Sequence, residues 1–186
     1  MNTMEKRGFT LIETMVAITV LAIALVGPFV AVRSALTGAY TARDQLVASS
    51  LAQEALEYVR SVRDNNYLNN DRAWMDGLSS LACYGASPGS YCTVDPTRGD
   101  LHTSSDAVAA YTTVAPGNCA SGARCLYLSS AKLYNQQLEG TPTRFKRVIQ
   151  IRHVSATEVV VTAQVHWSTN GKVYSVTVSD TLRDWI

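Results

Sequence analysis

The sequence lacks a large excess of charge of either sign. Its 16 Lys and Arg side chains are matched by 15 Asp and Glu, which gives a formal net charge of +1. A surface that binds nucleic acid needs clustered cations, and an acidic interaction tail needs clustered anions. Neither is present, so we predict no direct nucleic-acid partner.

Motifs of common enzyme classes are absent as well. The chain contains no phosphate-binding glycine loop and no Cys-x-x-Cys pair, so nucleotide chemistry and the usual zinc modules are not indicated. We predict no catalytic residue, no metal site and no cofactor. Calcium prefers oxygen ligands, but no regular spacing defines a site among the acidic residues that offer them: Asp76, Asp95, Asp100 and Asp106.

Charge is missing altogether from Thr14 to Val32, a run of 19 residues. About 20 apolar residues in a helix span the hydrocarbon core of a bilayer, so this run predicts a transmembrane helix. Lys6 and Arg7 precede it, which places the N-terminus in the cytoplasm and the chain after Arg33 outside. A secretory signal peptide is the alternative, but the run is longer than a typical apolar core and no small-x-small cleavage site follows it.

One carboxylate, Glu13, lies at the edge of this apolar run. A charge in such a segment costs a few kcal/mol on insertion scales and usually has a partner. Residues 6–13 read KRGFTLIE. Together with the apolar run up to about Val32, they resemble the prepilin cleavage and methylation motif of type IV pilins and of type II secretion pseudopilins.

The resemblance implies how these residues are used. A dedicated inner-membrane aspartyl peptidase would cut between Gly8 and Phe9, removing a leader, residues 1–8, that contains Lys6 and Arg7. The new amine of Phe9 would be N-methylated, and Glu13 would be the fifth mature residue. Because a buried charge needs a counter-ion, Glu13 of one subunit would pair with the Phe9 amine of a neighbour and fix the axial register between them.

We therefore interpret the chain as a structural subunit, major or minor, of a type IV pilus-like filament. Its expected partners are the prepilin peptidase, the inner-membrane assembly platform, membrane lipid before assembly, and other copies or related pilins that contact its N-terminal helix. The precursor is expected in the inner membrane, and the mature chain in an extracellular or cell-envelope filament. Two alternatives remain: a pseudopilin of a type II secretion system, and a single-pass membrane-anchored binding protein that keeps residues 1–8.

The long helix is predicted in two parts, a hydrophobic filament-core segment over 9–32 and an amphipathic segment of the head over 33–64. Pro28 follows Gly27, which predicts a kink or, as the resemblance implies, local melting on assembly. Asp64-Asn65-Asn66 is expected to end the helix. Apolar residues recur at helical spacing in the second part: Leu36, Tyr40, Val47, Leu51, Ala55, Tyr58 and Val62.

Residues 65–140 are rich in Gly, Ser, Asn and Asp and predict a loop-rich region with short helical or strand pieces. Its four cysteines would lie outside the cytoplasm, where an even number favours disulfides. Of the three possible pairings we favour the two local ones, Cys83–Cys92 and Cys119–Cys125. Zinc binding by these cysteines is the alternative.

Residues 141–186 predict an antiparallel sheet and a C-terminal tail. Asn170-Gly171 joins two alternating runs, and this is the strongest short signal for a β-hairpin. A two-residue turn would pair Trp167 with Tyr174, Val165 with Val176, and Ala163 with Val178. The predicted fold class is α+β and pilin-like: a long N-terminal helix, half transmembrane and half amphipathic, whose second half packs against an antiparallel head of three or more strands. A further small hairpin is expected within Leu126 to Tyr134.

Overall fold

The computed structural model describes residues 8–69, 72–79, 81, 83–85, 91–97, 108–111, 125–137, 139–169 and 171–184. Within these residues one helix precedes all the strands. The helix is α1, Leu11–Leu68. The strands are β1 Tyr91–Val94, β2 Val108–Tyr111, β3 Tyr127–Leu128, β4 Tyr134–Asn135, β5 Thr141–Pro142, β6 Lys146–Ser155, β7 Glu158–Thr169 and β8 Lys172–Arg183.

The chain divides into two compact units, Met1–Asp44 and Gln45–Ile186, and α1 contributes residues to both. In the first unit every side chain from Leu11 to Tyr40 is exposed. In the second unit, which we call the head, α1 supplies buried side chains from Ala48 to Val62. The predicted class, a long N-terminal helix with an antiparallel β head, is confirmed.

The apolar face of α1 that the helical spacing predicted is confirmed within the head, and it includes more residues than the spacing selected. Leu51, Tyr58 and Val62 are buried, whereas Leu36 and Tyr40, which belong to the first unit, are 52% and 62% exposed. Residues that the spacing did not select also lie in the core: Ala48, Ala52, Leu56 and Val59.

The helix ends later than the sequence suggested. It continues past Asp64 to Leu68, because Asn66 is anchored and does not act as a breaker. The Asn66 side-chain amide is buried and donates to the carbonyl oxygens of Trp74 at 3.3 Å and Asp76 at 2.9 Å. Asparagine usually disfavours a helix because its side chain makes hydrogen bonds to the nearby backbone. Here the Asn66 side chain makes tertiary hydrogen bonds instead, so the helix continues.

The main sheet has five strands in the order β2-β1-β6-β7-β8, and all neighbouring pairs are antiparallel. The antiparallel sheet expected within residues 141–186 corresponds to β6, β7 and β8, which form only part of the main sheet. Short strand pieces were predicted in this loop-rich region, but the position of β1 was not, because four residues among loops show too little alternation to stand out. A second sheet of order β4-β3-β5 contains the small hairpin expected around Tyr127 and Tyr134.

The predicted β7–β8 hairpin is confirmed residue by residue. Thr169 pairs with Lys172 across the turn, and further along Trp167 pairs with Tyr174 and Ala163 with Val178. Gly171 has a φ of 76°, a left-handed conformation that a two-residue hairpin turn requires and glycine adopts without strain. The hairpin extends beyond the predicted runs, to Glu158 opposite Arg183.

In the described residues, a hydrophobic core lies between α1 and the main sheet. On β7 the side chains alternate, with Val161, Ala163 and Val165 buried at 1% exposure or less. On β6 the burial is not alternating, since Lys146, Arg147, Val148 and Ile149 are all buried. Both faces of the first half of β6 are therefore covered.

A buried arginine ties α1 to the sheet. The Arg147 side chain is fully buried and makes an ion pair with Glu54 of α1. Its guanidinium also donates to the carbonyl oxygen of Leu51 at 3.1 Å and to that of Val94 at 2.8 Å. Burial lowers the pKa of Arg147, and Glu54 opposes that shift. The guanidinium thus joins α1, β1 and β6 in one network.

A disulfide joins Cys83 to Cys92, as predicted, and it connects two segments that lie along the same edge of β6. Cys92 of β1 pairs with Ile149, and the carbonyl of Cys83 accepts a hydrogen bond from Ile151 at 2.9 Å. Cys125 is also disulfide-bonded. Its predicted partner, Cys119, lies outside the described residues.

We expect replacement of Arg147 by methionine to lower the free energy of unfolding by about 3–5 kcal/mol, because one member of a buried charge network is removed and the others stay behind. Urea unfolding of the detergent-purified chain, followed by tryptophan fluorescence, measures the change. Arg152→Met, on the exposed part of the same strand, is the matched control and should change stability by about 0.5 kcal/mol or less. Equal small effects of both substitutions would contradict this account.

The side chain of His166 is half-buried on β7, opposite Lys146 of β6. Burial lowers the pKa of His166, and the positive charge of Lys146 lowers it further. Below about pH 6.5 an unfolded chain protonates this histidine, whereas the folded chain does so only at lower pH. The unfolded state then binds more protons, so stability decreases as the pH falls.

We therefore expect the free energy of unfolding to decline less between pH 7.5 and pH 5 in His166→Gln than in the unchanged chain. The urea midpoint at several pH values reports this difference, and the slopes of the two chains should separate below about pH 6.5. Parallel pH profiles would show that His166 is not responsible.

Candidate processing and assembly segment

The described chain begins with three residues that precede the helix. Gly8, Phe9 and Thr10 are not helical, and α1 begins at Leu11. Thr10 is the N-cap: its carbonyl oxygen accepts hydrogen bonds from the backbone nitrogens of Glu13 at 3.1 Å and Thr14 at 3.2 Å. Its hydroxyl lies 3.4 Å from the Glu13 nitrogen. Sequence reasoning missed this cap, although Thr-x-x-Glu before an apolar run is the signature of one.

The bond expected to be cleaved lies just outside the helix. Phe9 is 81% exposed, and an added Cβ at Gly8 would meet no atom within 4 Å. The packing of this chain therefore does not itself require glycine at position 8. The leader charges Lys6 and Arg7 lie outside the described residues.

The side chain of Glu13 is available to a partner. It lies in the first turn of α1, where a negative charge is favoured by the helix dipole, and it is exposed. Among the described residues, its carboxylate forms no hydrogen bond and no ion pair. Any stable counter-ion for this carboxylate in an apolar environment must therefore come from outside this part of the chain.

The helix that follows contains a stretch long and apolar enough to cross a membrane, and none of that stretch is buried in the structure. Pro28 lies inside α1 without ending it. Local melting at this position on assembly stays a prediction.

Hydroxyl groups in this apolar part of α1 are satisfied within the helix. The hydroxyl of Thr14 donates to the carbonyl of Leu11, and that of Thr19 donates to the carbonyl of Val16, both at 2.8 Å. Thr37 makes the same kind of bond to Arg33 at 3.0 Å. Because these donors already have acceptors, they need none from the surroundings.

The acidic residues weighed for calcium do not form a common cluster in the described residues. Asp95 is buried, and its carboxylate accepts hydrogen bonds from Thr97 and from the backbone nitrogen of Gln136 at 2.9 Å. Asp76 lies 3.8 Å from Arg72 in an ion pair, and Asp100 and Asp106 lie outside the described residues. No group of three or more potential ligands in the part of the chain that the structure describes could hold a metal ion.

Comparison with family models identifies a match at the N-terminus. Residues 3–27 match the model of the prokaryotic N-terminal methylation motif, the prepilin signature of type IV pilins and pseudopilins. The match includes Gly8, Phe9 and Glu13 and confirms the resemblance inferred from the sequence. Searches of curated proteins and of solved structures give no match.

Proposed function

We propose that the chain is a structural subunit of a type IV pilus-like filament, cleaved between Gly8 and Phe9 and assembled through its N-terminal helix. The observation that supports this most directly is the methylation motif over residues 3–27. The proteins that carry it are structural subunits of filaments. Filament subunits do no chemistry of their own, so no catalytic residue and no cofactor are part of this proposal.

The exposed apolar helix explains why assembly is favourable. From Leu11 to Val32 every side chain is exposed, and burying apolar surface contributes roughly 25 cal/mol per Å². Such a helix cannot be left in water. In the precursor, lipid of the inner membrane covers it, with the N-terminus in the cytoplasm; in the filament, neighbouring helices replace the lipid.

Glu13 supplies the specificity that apolar contacts lack. Hydrophobic burial is non-directional, so smooth apolar helices could slide along one another in many registers. Cleavage leaves a positive amine on Phe9. The carboxylate of Glu13, which has no partner among the described residues, provides the charge that neutralises this amine on a neighbouring subunit. The pair adds little net stability, because both ions lose their water, but it penalises every register in which a charge stays unpaired.

Processing and assembly require other proteins of the envelope. The prepilin peptidase would cleave and methylate the chain, and an inner-membrane assembly platform would move it from the membrane into the filament. A membrane-anchored binding protein would instead keep residues 1–8. Edman sequencing and intact mass of the exported chain should give N-methylphenylalanine at Phe9, and a chain that still begins at Met1 would exclude the filament model.

We expect Glu13→Gln, which preserves size and removes only the charge, to be cleaved and inserted normally but to enter filaments at least about tenfold less, since an unpaired buried amine costs several kcal/mol. Immunoblots of sheared filaments measure the assembled chain, and immunoblots of membranes measure the inserted chain.

The matched control is Glu139→Gln, which removes the same charge from an exposed position on the head. It should assemble like the unchanged chain. Normal incorporation of Glu13→Gln would overturn the role assigned to this carboxylate, and loss of cleavage would show that Glu13 acts at the earlier, peptidase step.

A further inference from the structure

A cleft of about 240 Å³ opens on the head between the last turns of α1, the segment around Trp74 and the end of β8. Its walls are mainly apolar and include Tyr67, Leu68 and Trp74. Leu68 is 78% exposed and Tyr67 is 54% exposed. A pocket of aromatic and aliphatic side chains that solvent can reach is the usual setting for an inserted apolar side chain.

The charges at the mouth of the cleft leave one carboxylate unmatched. Arg63 is paired with Asp64 at 2.6 Å, and Arg183 lies 3.5 Å from Glu158. The backbone nitrogen of Asp184 donates to Thr157, but the Asp184 carboxylate has no partner among the described residues. The cleft therefore presents an apolar floor beside one free negative charge.

The turn between β3 and β4 has complementary features. Its residues Lys132 and Leu133 are exposed, and Leu133 is 55% exposed. The turn is held by backbone hydrogen bonds, from Ser129 to the carbonyl of Leu133 at 2.9 Å and from Lys132 to the carbonyl of Ser129 at 3.0 Å. The Lys132 ammonium has no partner among the described residues.

Lys132 has an unusual backbone conformation. Its φ is 64°, in the left-handed region where glycine or asparagine is the common choice and a long side chain is rare. The strain is tolerated at the tip of a short, well-bonded turn, where it places a cation next to an exposed leucine. Such outliers are concentrated at sites that bind something.

Leu133 is also the exposed large aliphatic side chain best placed to insert. The other exposed large apolar residues of the described head outside the cleft are Leu46, on α1, and Val154 and Val173, on strands. Those three residues lie within a helix or a strand, whereas Leu133 lies at a turn.

We infer that the β3–β4 turn of one copy docks into the cleft of a second copy, with Leu133 on the apolar floor and Lys132 paired with Asp184. This inference rests on the proposed filament. The two surfaces share no residue, so the contact is heterologous and repeats from copy to copy without closing on itself, as a filament requires. It also implies that copies of this chain are neighbours, as they are in a repeating subunit.

A cross-linking experiment tests the contact in filaments of the full-length chain. The double variant Leu133→Cys with Leu68→Cys should give a ladder of covalent multimers under non-reducing conditions, because each chain can then be linked at both surfaces. The control Val154→Cys with Leu68→Cys should give none. Filaments that form without a ladder, or with an equal ladder in the control, would overturn the inference and leave the proposed function intact.

A charge-reversal experiment tests the ion pair within the same cross-linked chain. Lys132→Glu and Asp184→Lys should each reduce the ladder at least about threefold, and the two together should restore it, since like charges at a contact repel and opposite charges are complementary. Arg152→Glu, which reverses an exposed charge elsewhere on the head, is the control and should change nothing. Failure of the combined variant to restore the ladder would contradict the pairing, whereas absence of any filament from the unchanged chain would refute the proposed function itself.

Discussion

The head is organised around one buried positive charge. Arg147 has no exposed side-chain surface, and a guanidinium in that position is tolerated only when its hydrogen bonds are satisfied. Glu54, the carbonyl of Leu51 and the carbonyl of Val94 accept hydrogen bonds from its two terminal nitrogens, whereas Nε has no partner among the described residues. Their positions favour one placement of α1 along the sheet, because a shift of the helix would break these bonds and leave a buried charge without partners. The apolar core gives the head its stability, and Arg147 selects one arrangement of it.

The helix α1 therefore has two kinds of surface along its length. Between Ala48 and Val62 its apolar side chains are covered by the sheet of the same chain. Before Thr41 its side chains are exposed, and the hydrophobic ones still require a cover. In the head, the apolar surface of α1 is buried by the same polypeptide. In the first unit, the apolar surface of α1 can be buried only by lipid or by other chains. This contrast and the motif at residues 3–27 are the two observations that support the proposed function.

Features that depend on residues close together in the sequence could be predicted, whereas features that depend on distant residues could not. The β7–β8 register followed from the Asn170-Gly171 turn and side-chain alternation, because both signals lie within a few residues of the contacts they specify. The burial of Arg147 could not be inferred, since its partner Glu54 lies 93 residues away in sequence. The end of α1 was misplaced for a similar reason, as Asn66 is held by Trp74 and Asp76 rather than by its neighbours. In the candidate segment, Gly8, Phe9 and Glu13 were recognised from their motif, whereas the cleft beside Asp184 depends on the tertiary fold.

The internally bonded threonines of α1 have a consequence for movement between environments. Because the hydroxyls of Thr14 and Thr19 are held by carbonyls of their own helix, leaving lipid for a protein bundle breaks none of their hydrogen bonds and demands no new one. In the proposed assembly, the Glu13 carboxylate gains a new partner, the Phe9 amine of a neighbouring subunit. The transfer of this part of α1 from lipid to neighbouring helices in the proposed assembly therefore requires no rearrangement of these hydroxyl hydrogen bonds.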